Sequence, residues 1–578
     1  MIVWATLVLP VLVGPLCAGG ERRVAAAALS TGALWPQSAN QPSWQWVAQL
    51  RHGAPVSGTG TSGNANTGTL LPATGVNAAT TALGGRIAFV AGIAGSPRNQ
   101  GVFTADASGL RAIAIGCGGG GGSGVHGTLG DVAPGGGLFA GMFQGTAFAP
   151  ALAADGSVLF VADLVGGPSS RALFLFEATA QRLVRIAGVG DPSPLGGSFA
   201  SIGPGVHAAD GAVLFVAQRP GVAGGEFFHW QNGIVQRLAA SGDALPLGGS
   251  IALLATEVVA FVDGTNMAIG PLPFADACGT VAFRVHGSGG APHSGIVVRR
   301  DGQDSWWLRS GDATPAGGVY IGFGGPVLGG SELAVYAEHT SNGGPTAGWF
   351  VGKPNSWRRA LGYFDLVDGG QCLGLAMSRA PMTPLDDRGD LVVWCDLDIQ
   401  GGRDRLVLCR RDGTQQVLAR RGEQAPGGGL LGELGGWPSL DSGGRCVVSA
   451  QVQFAAATCG HFTLAADEPR LAAPPCAALG SELRVDATGP LGAHFALAVS
   501  TSATEVPLPP FGVLRIGPDP IVWLLPATPF LGYAVPHAGR WTLPDDAGLI
   551  GTSLHFQALA LLTGSARLTE AVATRMRP

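Results

Sequence analysis

Residues Ala153–Phe199 read AADGSVLFVADLVGGPSSRALFLFEATAQRLVRIAGVGDPSPLGGSF, and residues Ala208–Ile251 read AADGAVLFVAQRPGVAGGEFFHWQNGIVQRLAASGDALPLGGSI. The two segments state one pattern twice. Each holds an apolar run (Val158–Ala162, Val213–Ala217), a second run (Ala172–Phe176, Glu226–Trp230) and a third (Arg182–Ala187, Val235–Ala240). Each then closes on a Gly-Asp-x-x-Pro turn and a Gly-Gly pair. Short apolar runs split by Gly, Asp and Pro predict strands joined by tight turns rather than helices. A period of roughly 50–70 residues carrying several strands predicts a propeller blade.

Outward from these two copies the pattern recurs. Paired apolar positions mark the front of each copy: Ala88-Phe89, Leu159-Phe160, Leu214-Phe215, Ala282-Phe283, Ala334-Val335, Val392-Val393 and Val447-Val448. A glycine stands three residues before six of these pairs (Gly85, Gly156, Gly211, Gly279, Gly389, Gly444), and Asp276, Asp386 and Asp441 recur three residues earlier still. The back of each copy is the turn at Gly130-Asp131, Gly190-Asp191, Gly242-Asp243, Gly311-Asp312 or Gly422-Glu423; the fifth copy is degenerate around Tyr363–Asp368. The last front end has no back end of its own, whereas Trp44–Leu50 and His52-Gly-Ala-Pro55 form a back end without a front. A ring joined by its N-terminal strand accounts for both orphans and removes the sheet edges that invite aggregation. Ser57–Thr69, rich in Ser, Thr, Asn and Gly, reads as a flexible loop.

Composition agrees with an all-β chain. Gly 95 and Pro 40 in 578 residues would suit disorder, but 46% hydrophobic residues must be buried somewhere, and many strands with many turns meet both facts. Charged residues make up only 13%, Lys353 is the sole lysine, and the net charge is −5 with no basic run, so no electrostatic footprint for nucleic acid exists. The start, MIVWATLVLPVLVGPLCAGG, reads as a signal peptide over residues 1–20, with a membrane anchor or a misassigned start as alternatives, because no Lys or Arg precedes the apolar run. No later segment is apolar and long enough to span a bilayer. Cys395 and Cys409, like Cys446 and Cys459, fall on consecutive predicted strands; hairpin disulfides and small buried hydrophobes both suit them.

Asp276-x-x-Gly279-x-x-Ala282-Phe283 and the Gly-Asp-x-x-Pro-x-Gly-Gly turns resemble the bacterial choice-of-anchor tandem-repeat proteins named for an Asn-x-x-Gly-x-x-Ala-Phe motif, with Asp or Ala here in place of Asn. The likeness covers roughly residues 40–473. It implies an exported or surface-attached protein and carries no catalytic residue. Past Pro474-Pro475, alternating runs from Ser481–Val485 to Ala566–Thr569 predict a β-sandwich. It resembles the small sandwich appended to many exported bacterial repeat proteins, with Leu543–Ala558 carrying the likeness. The expected architecture is thus a seven-bladed β-propeller over residues 35–473, closed by its N-terminal strand, and a C-terminal β-sandwich over 474–578.

Candidate chemistry is sparse. The turn carboxylates Asp131, Asp191, Asp243, Asp312 and Glu423 would ring one rim and offer oxygens to calcium or a polar ligand. The opposing reading has each accept backbone N–H groups and hold its own turn, and one carboxylate per blade cannot surround an ion. Gly116–Gly127 lacks the helix and lysine of a phosphate cradle. Asp441-Ser442-Gly443-Gly444 is explained by the repeat. Four tyrosines (Tyr320, Tyr336, Tyr363, Tyr533) are too few and too scattered to place a sialidase-type site, and the histidines show no metal-ligand spacing. Trp230, Trp306, Trp307, Trp349, Trp357, Trp394 and Trp437 suit packing between blades, or sugar stacking at a rim. No cofactor is expected, calcium being the one candidate. The function expected is that of a monomeric, exported, non-enzymatic binding or scaffold protein, secreted or at the cell surface, with a glycan or another surface component as partner. The alternative is an extracellular carbohydrate-active hydrolase or lyase working at the propeller axis.

Overall fold

The computed structural model describes residues 44–578 apart from connecting segments, of which 60–64, 72–78, 95–99, 117–129, 143–148, 261–265, 376–383, 398–404, 454–458, 518–521 and 531–536 are the longer. The expected signal peptide, nearly all of the Gly116–Gly127 loop, Ser442 and Tyr533 lie outside the described residues.

The described chain is built of strands, with one short 3-10 turn at Ala547–Leu549. Apart from two-stranded ribbons, antiparallel sheets of four or more strands follow one another along the sequence, the first within 55–116, the second within 138–188 and the fourth within 250–309. The third is the plainest: Ser201–His207, Val213–Gln218, Glu226–Gln231 and Ile234–Ala239 pair in chain order. The fifth (Tyr320–Gly329 through Ser356–Gly362) and sixth (Gly374–Leu375 through Gln415–Arg420) repeat that order. The seventh uses Leu430–Leu440, Arg445–Gln453 and Cys459–Ala466, and its fourth strand is Trp44–Arg51 from the other end of the chain. The register runs from Trp44 opposite Ala466 to Arg51 opposite Gly460.

Each front-end pair lies on an interior strand of its sheet, and both its residues are buried. Successive side chains of a strand point to opposite faces, so two adjacent buried residues mean a sheet covered on both sides. The packing bears this out. Leu159 joins a cluster with Phe215 and Phe228 of the next sheet, while Phe160 joins Ala88 and Val102 of the preceding one. Phe283 packs back onto Leu214 and Phe227, and Ala282 packs forward with Val335. Val392 packs against Val448. Val447 then lies in a cluster with Ile87, Phe89 and Phe103 of the first sheet, and the His461 ring is 4.6 Å from that of Phe89. Apolar packing therefore runs from the last sheet back to the first.

After residue 466 the pairing changes. Arg470–Ala472, Glu482–Thr488 and His537–Thr542 form one sheet; Cys476–Ala478, Val572–Arg577, Ser553–Leu562, His494–Ser500 and Val522–Pro529 form the main path of another. The two share a core of Leu471, Leu483, Val485, Phe495, Leu497, Phe556 and Met576.

One expectation is corrected, and one open alternative among the cysteines is decided. Ser57–Thr69 is not wholly a loop: Pro55–Thr59 and Ala65–Leu71 pair antiparallel, Pro55 opposite Thr69, and Thr59, Thr67 and Thr69 are residues that favour strand. No hairpin disulfide joins Cys395 to Cys409, and Cys446 is also free. The register explains it: Cys409 faces Leu391 while Cys395 faces Arg405, and Cys446 faces Leu464 while Cys459 faces Gln451, so each pair sits at opposite ends of its hairpin. The bond that forms instead joins Cys278 to Cys476, 198 residues apart.

Candidate functional site

The Gly-Asp-x-x-Pro turns hand the chain from the last strand of one sheet to the first strand of the next, and the five carboxylates occupy equivalent places in them. Asp131 Oδ2 accepts the Ile115 N–H at 3.0 Å. Asp191 accepts from Gly188 N at 2.7 Å, Asp243 from Ala240 N at 2.9 Å, Asp312 from Arg309 N at 2.9 Å and Glu423 from Arg420 N at 2.8 Å. In four of the turns the second oxygen meets an arginine of the preceding strand: Arg185, Arg237, Arg309 or Arg420. An N–H left at a strand end holds each acid in place, and in those four a cation on the same strand adds to it, as expected of Asp in a turn.

The degenerate fifth copy keeps the device with different letters. Asp365 accepts the Gly362 N–H at 2.7 Å and pairs with Arg359. Phe364 stands where other copies have glycine, at φ +67° against +91°, +90°, +90° and +83° for Gly190, Gly242, Gly311 and Gly422. Sequence reasoning missed Asp365 because the glycine that flags the turn is absent. Beyond it, Asp368 stands where the other turns have proline and is gripped by Arg420 at 2.6 Å and Arg405 at 3.1 Å, which hold its carboxyl below the usual value, the Arg420 hydrogen bond chiefly. A left-handed conformation costs a non-glycine residue about 1–2 kcal/mol, against about 0.5–1 kcal/mol of backbone entropy for glycine. Phe364→Gly is therefore expected to raise stability by about 0.5 kcal/mol. Gly242→Ala, which meets no other atom, is expected to lose about 1 kcal/mol, both read from urea midpoints.

The other candidates are dispersed. Tyr320 is buried edge-on to Phe350, and burial pushes its phenol well above its usual pKa, which keeps it neutral. Tyr336 meets Tyr363 and is raised likewise, burial first. Trp349 and Trp230 are buried, and Trp306 donates to the Pro246 carbonyl at 2.6 Å, fixing the turn that leads into its own sheet. Ser449 Oγ and His461 Nδ1 lie 2.8 Å apart on directly opposed strand positions, a nucleophile–base contact that the sequence reading did not anticipate. Both are buried in the seam between the last and first sheets, under Phe89. Among the described residues no group of three or more His, Cys, Asp or Glu side chains could hold a metal, and no helix is long and apolar enough to cross a membrane.

Buried charge gathers elsewhere, at the Asp-x-x-Gly turns. Asp276 Oδ1 accepts the N–H groups of Cys278 and Thr280, Asp386 those of Arg388 and Asp390, and Asp441 that of Arg445. These three turns meet the C-terminal strands. Cys278 is bonded to Cys476, and Arg388 donates to the Leu471 carbonyl at 3.2 Å. A methyl group on Gly444 would run into Arg470. Asp486 of the C-terminal sheet faces Asp441 and helps burial hold that carboxyl above its usual value, against the pull of Arg445. Burial and then Asp390 push Asp386 up to about 7.

A family model described as a family of unknown function (DUF7453) matches residues 120–458. No curated protein matches the chain. Among solved structures it is similar to the β-propeller domain of the Trilobed protease from Pyrococcus furiosus (12% identity, 68% of this chain and 94% of that one, TM-score 0.39). It is also similar to a protein of unknown function from Dyadobacter fermentans (10% identity, 56% and 97%, TM-score 0.27). A third is the GH74 xyloglucanase from Xanthomonas campestris (12% identity, 82% and 65%, TM-score 0.19).

Proposed function

The chain belongs to the family of unknown function DUF7453, and on that premise we propose that it is an exported, non-enzymatic binding or scaffold protein. Its sheets are read as the blades of a seven-bladed β-propeller over residues 35–473, closed by the N-terminal strand, with a C-terminal β-sandwich over 474–578. The observation that carries the reading is how the repeat carboxylates are used. Asp131, Asp191, Asp243, Asp312, Asp365 and Glu423 each accept a backbone N–H at the end of the strand that precedes their turn, so the repeated acids are committed to building the scaffold. The likeness of its repeats to choice-of-anchor proteins supports a place outside the cell, and the ligand proposed is a glycan or another surface component. The purified full chain, applied to arrayed bacterial and plant polysaccharides, is expected to bind without releasing new reducing ends or unsaturated sugars. Turnover of any arrayed polysaccharide would overturn the non-enzymatic reading, and retention of the native protein in the cytoplasmic fraction would overturn export.

A further inference from the structure

All three repeats that carry Asp at the head of their Asp-x-x-Gly turn meet the C-terminal strands there, and the second repeat, at Ala153, has alanine in that place. The same backbone hydrogen bonds close the turn in both cases, Gly156 N to Ala153 O at 3.0 Å and Gly389 N to Asp386 O at 3.1 Å. Acid is therefore not required to make the turn, and its placement at the junction calls for another role.

Asp386 is the most exposed to this logic. It is 2% accessible, its Oδ1 takes two N–H groups, and its Oδ2 has no partner. The cations around it are already engaged. Arg388 donates to the Leu471 carbonyl, and Arg470 is held by Glu468 at 2.7 and 3.1 Å. Asp390 on the same hairpin accepts from Arg411 N at 2.9 Å and adds a like charge. The next turn, in the seventh sheet, brings Asp441, paired with Arg445 at 2.8 Å. The C-terminal sheet brings Asp486, paired with Arg484 at 2.7 Å and, like Asp386, left with one buried oxygen without a partner. Asp387, on the exposed side of the turn, accepts from Gly330 N at 3.0 Å, and Asp276 approaches from the fourth sheet. A buried carboxylate with one uncompensated oxygen is costly when ionised and cheap when protonated.

We propose that this junction is a proton-gated latch: proton uptake at Asp386 clamps the C-terminal strands Arg470–Ala472 and Cys476–Ala478 onto the Asp-x-x-Gly turns, proton loss loosens them, and the Cys278–Cys476 bond keeps the loosened unit tethered. Folded-state protonation is favoured, since the carboxyl stands at about 7 against an ordinary 3.8. The stabilisation it gives is complete below the ordinary value and is lost as pH rises through about 7.

The test is hydrogen exchange with mass spectrometry on the full chain at pH 5 and pH 8, corrected for intrinsic rates and read on peptides spanning 386–390 and 470–478. Opening of these segments is expected to rise about tenfold or more at pH 8. Asp386→Asn, which keeps the Oδ1 acceptor and removes the charge, is expected to hold pH 8 opening at the pH 5 level. Asp131→Asn, at an equally buried carboxylate in the turn between the first and second sheets, is expected to leave the pH response intact. Limited proteolysis after reduction of Cys278–Cys476 is a second readout, with release of the C-terminal fragment expected at pH 8 and not at pH 5. A wild-type junction whose opening does not change with pH, or one whose pH response survives Asp386→Asn, would overturn the latch.

Discussion

The double substitution Gln49→Pro/Leu50→Pro is expected to cost on the order of 3 kcal/mol or more and to increase self-association of the chain. Gln49 and Leu50 face Phe462 and His461 across the pairing that joins the two ends of the described chain. Trp44–Arg51 is the outer strand of its sheet, so alternate N–H groups point away from the ladder and a single proline is tolerated. Two adjacent prolines ensure that one lost N–H lies on the ladder side. The freed Cys459–Ala466 strand would then present a row of unpaired backbone groups to other molecules. Urea unfolding followed by circular dichroism, together with size-exclusion chromatography, reads both effects. Given a stability of about 5–15 kcal/mol for a typical domain, a loss of this size is conspicuous.

Phe89→Ala is expected to cost about 3–5 kcal/mol. Phe89 is 1% exposed, packs on Phe103 at 5.7 Å and on His461 at 4.6 Å, and shares a cluster with Val447. The truncation leaves a cavity between two sheets at opposite ends of the sequence, where neighbours can relax only by separating the sheets. A double-mutant cycle with Val447→Ala sharpens the test. Residues sharing a cavity couple, so the two losses are expected to depart from additivity by about 0.5 kcal/mol or more, whereas Phe89→Ala with Phe227→Ala, in a different cluster, should add.

Much of this fold was legible in the sequence, for a physical reason. Pairs such as Leu214-Phe215 are apolar at adjacent positions, which on a strand demands burial on both faces, and each pair lies in a strand packed on both sides. The orphan strand at Trp44 was legible through the same pattern. Less visible was anything that depends on conformation without composition. Phe364 adopts the glycine conformation of its turn without being glycine, and Ser57–Thr69 hides a hairpin in residues that also suit a loop. The turn carboxylates were legible as a repeated set, and the structure places each on its own backbone. The junction was not legible: Asp276, Asp386, Asp441 and Asp486 are brought together by sheets far apart in sequence, and Cys278 finds Cys476 across 198 residues. The available signal was that some repeats carry Asp where others carry Ala, a difference with no meaning until something covers those turns.

The join between the chain's first described strand and its seventh sheet is tested most directly by cross-linking. Directly opposed residues on antiparallel strands have Cα atoms about 4.5–5.5 Å apart, within disulfide reach. In the register found, Gln45 opposes Ala465, whereas His461 lies four residues along the strand. Gln45→Cys/Ala465→Cys should form an intramolecular disulfide on mild oxidation, identified by peptide mapping, while Gln45→Cys/His461→Cys should not. Absence of the first link, or its appearance only between molecules, would contradict the closure of the chain on itself.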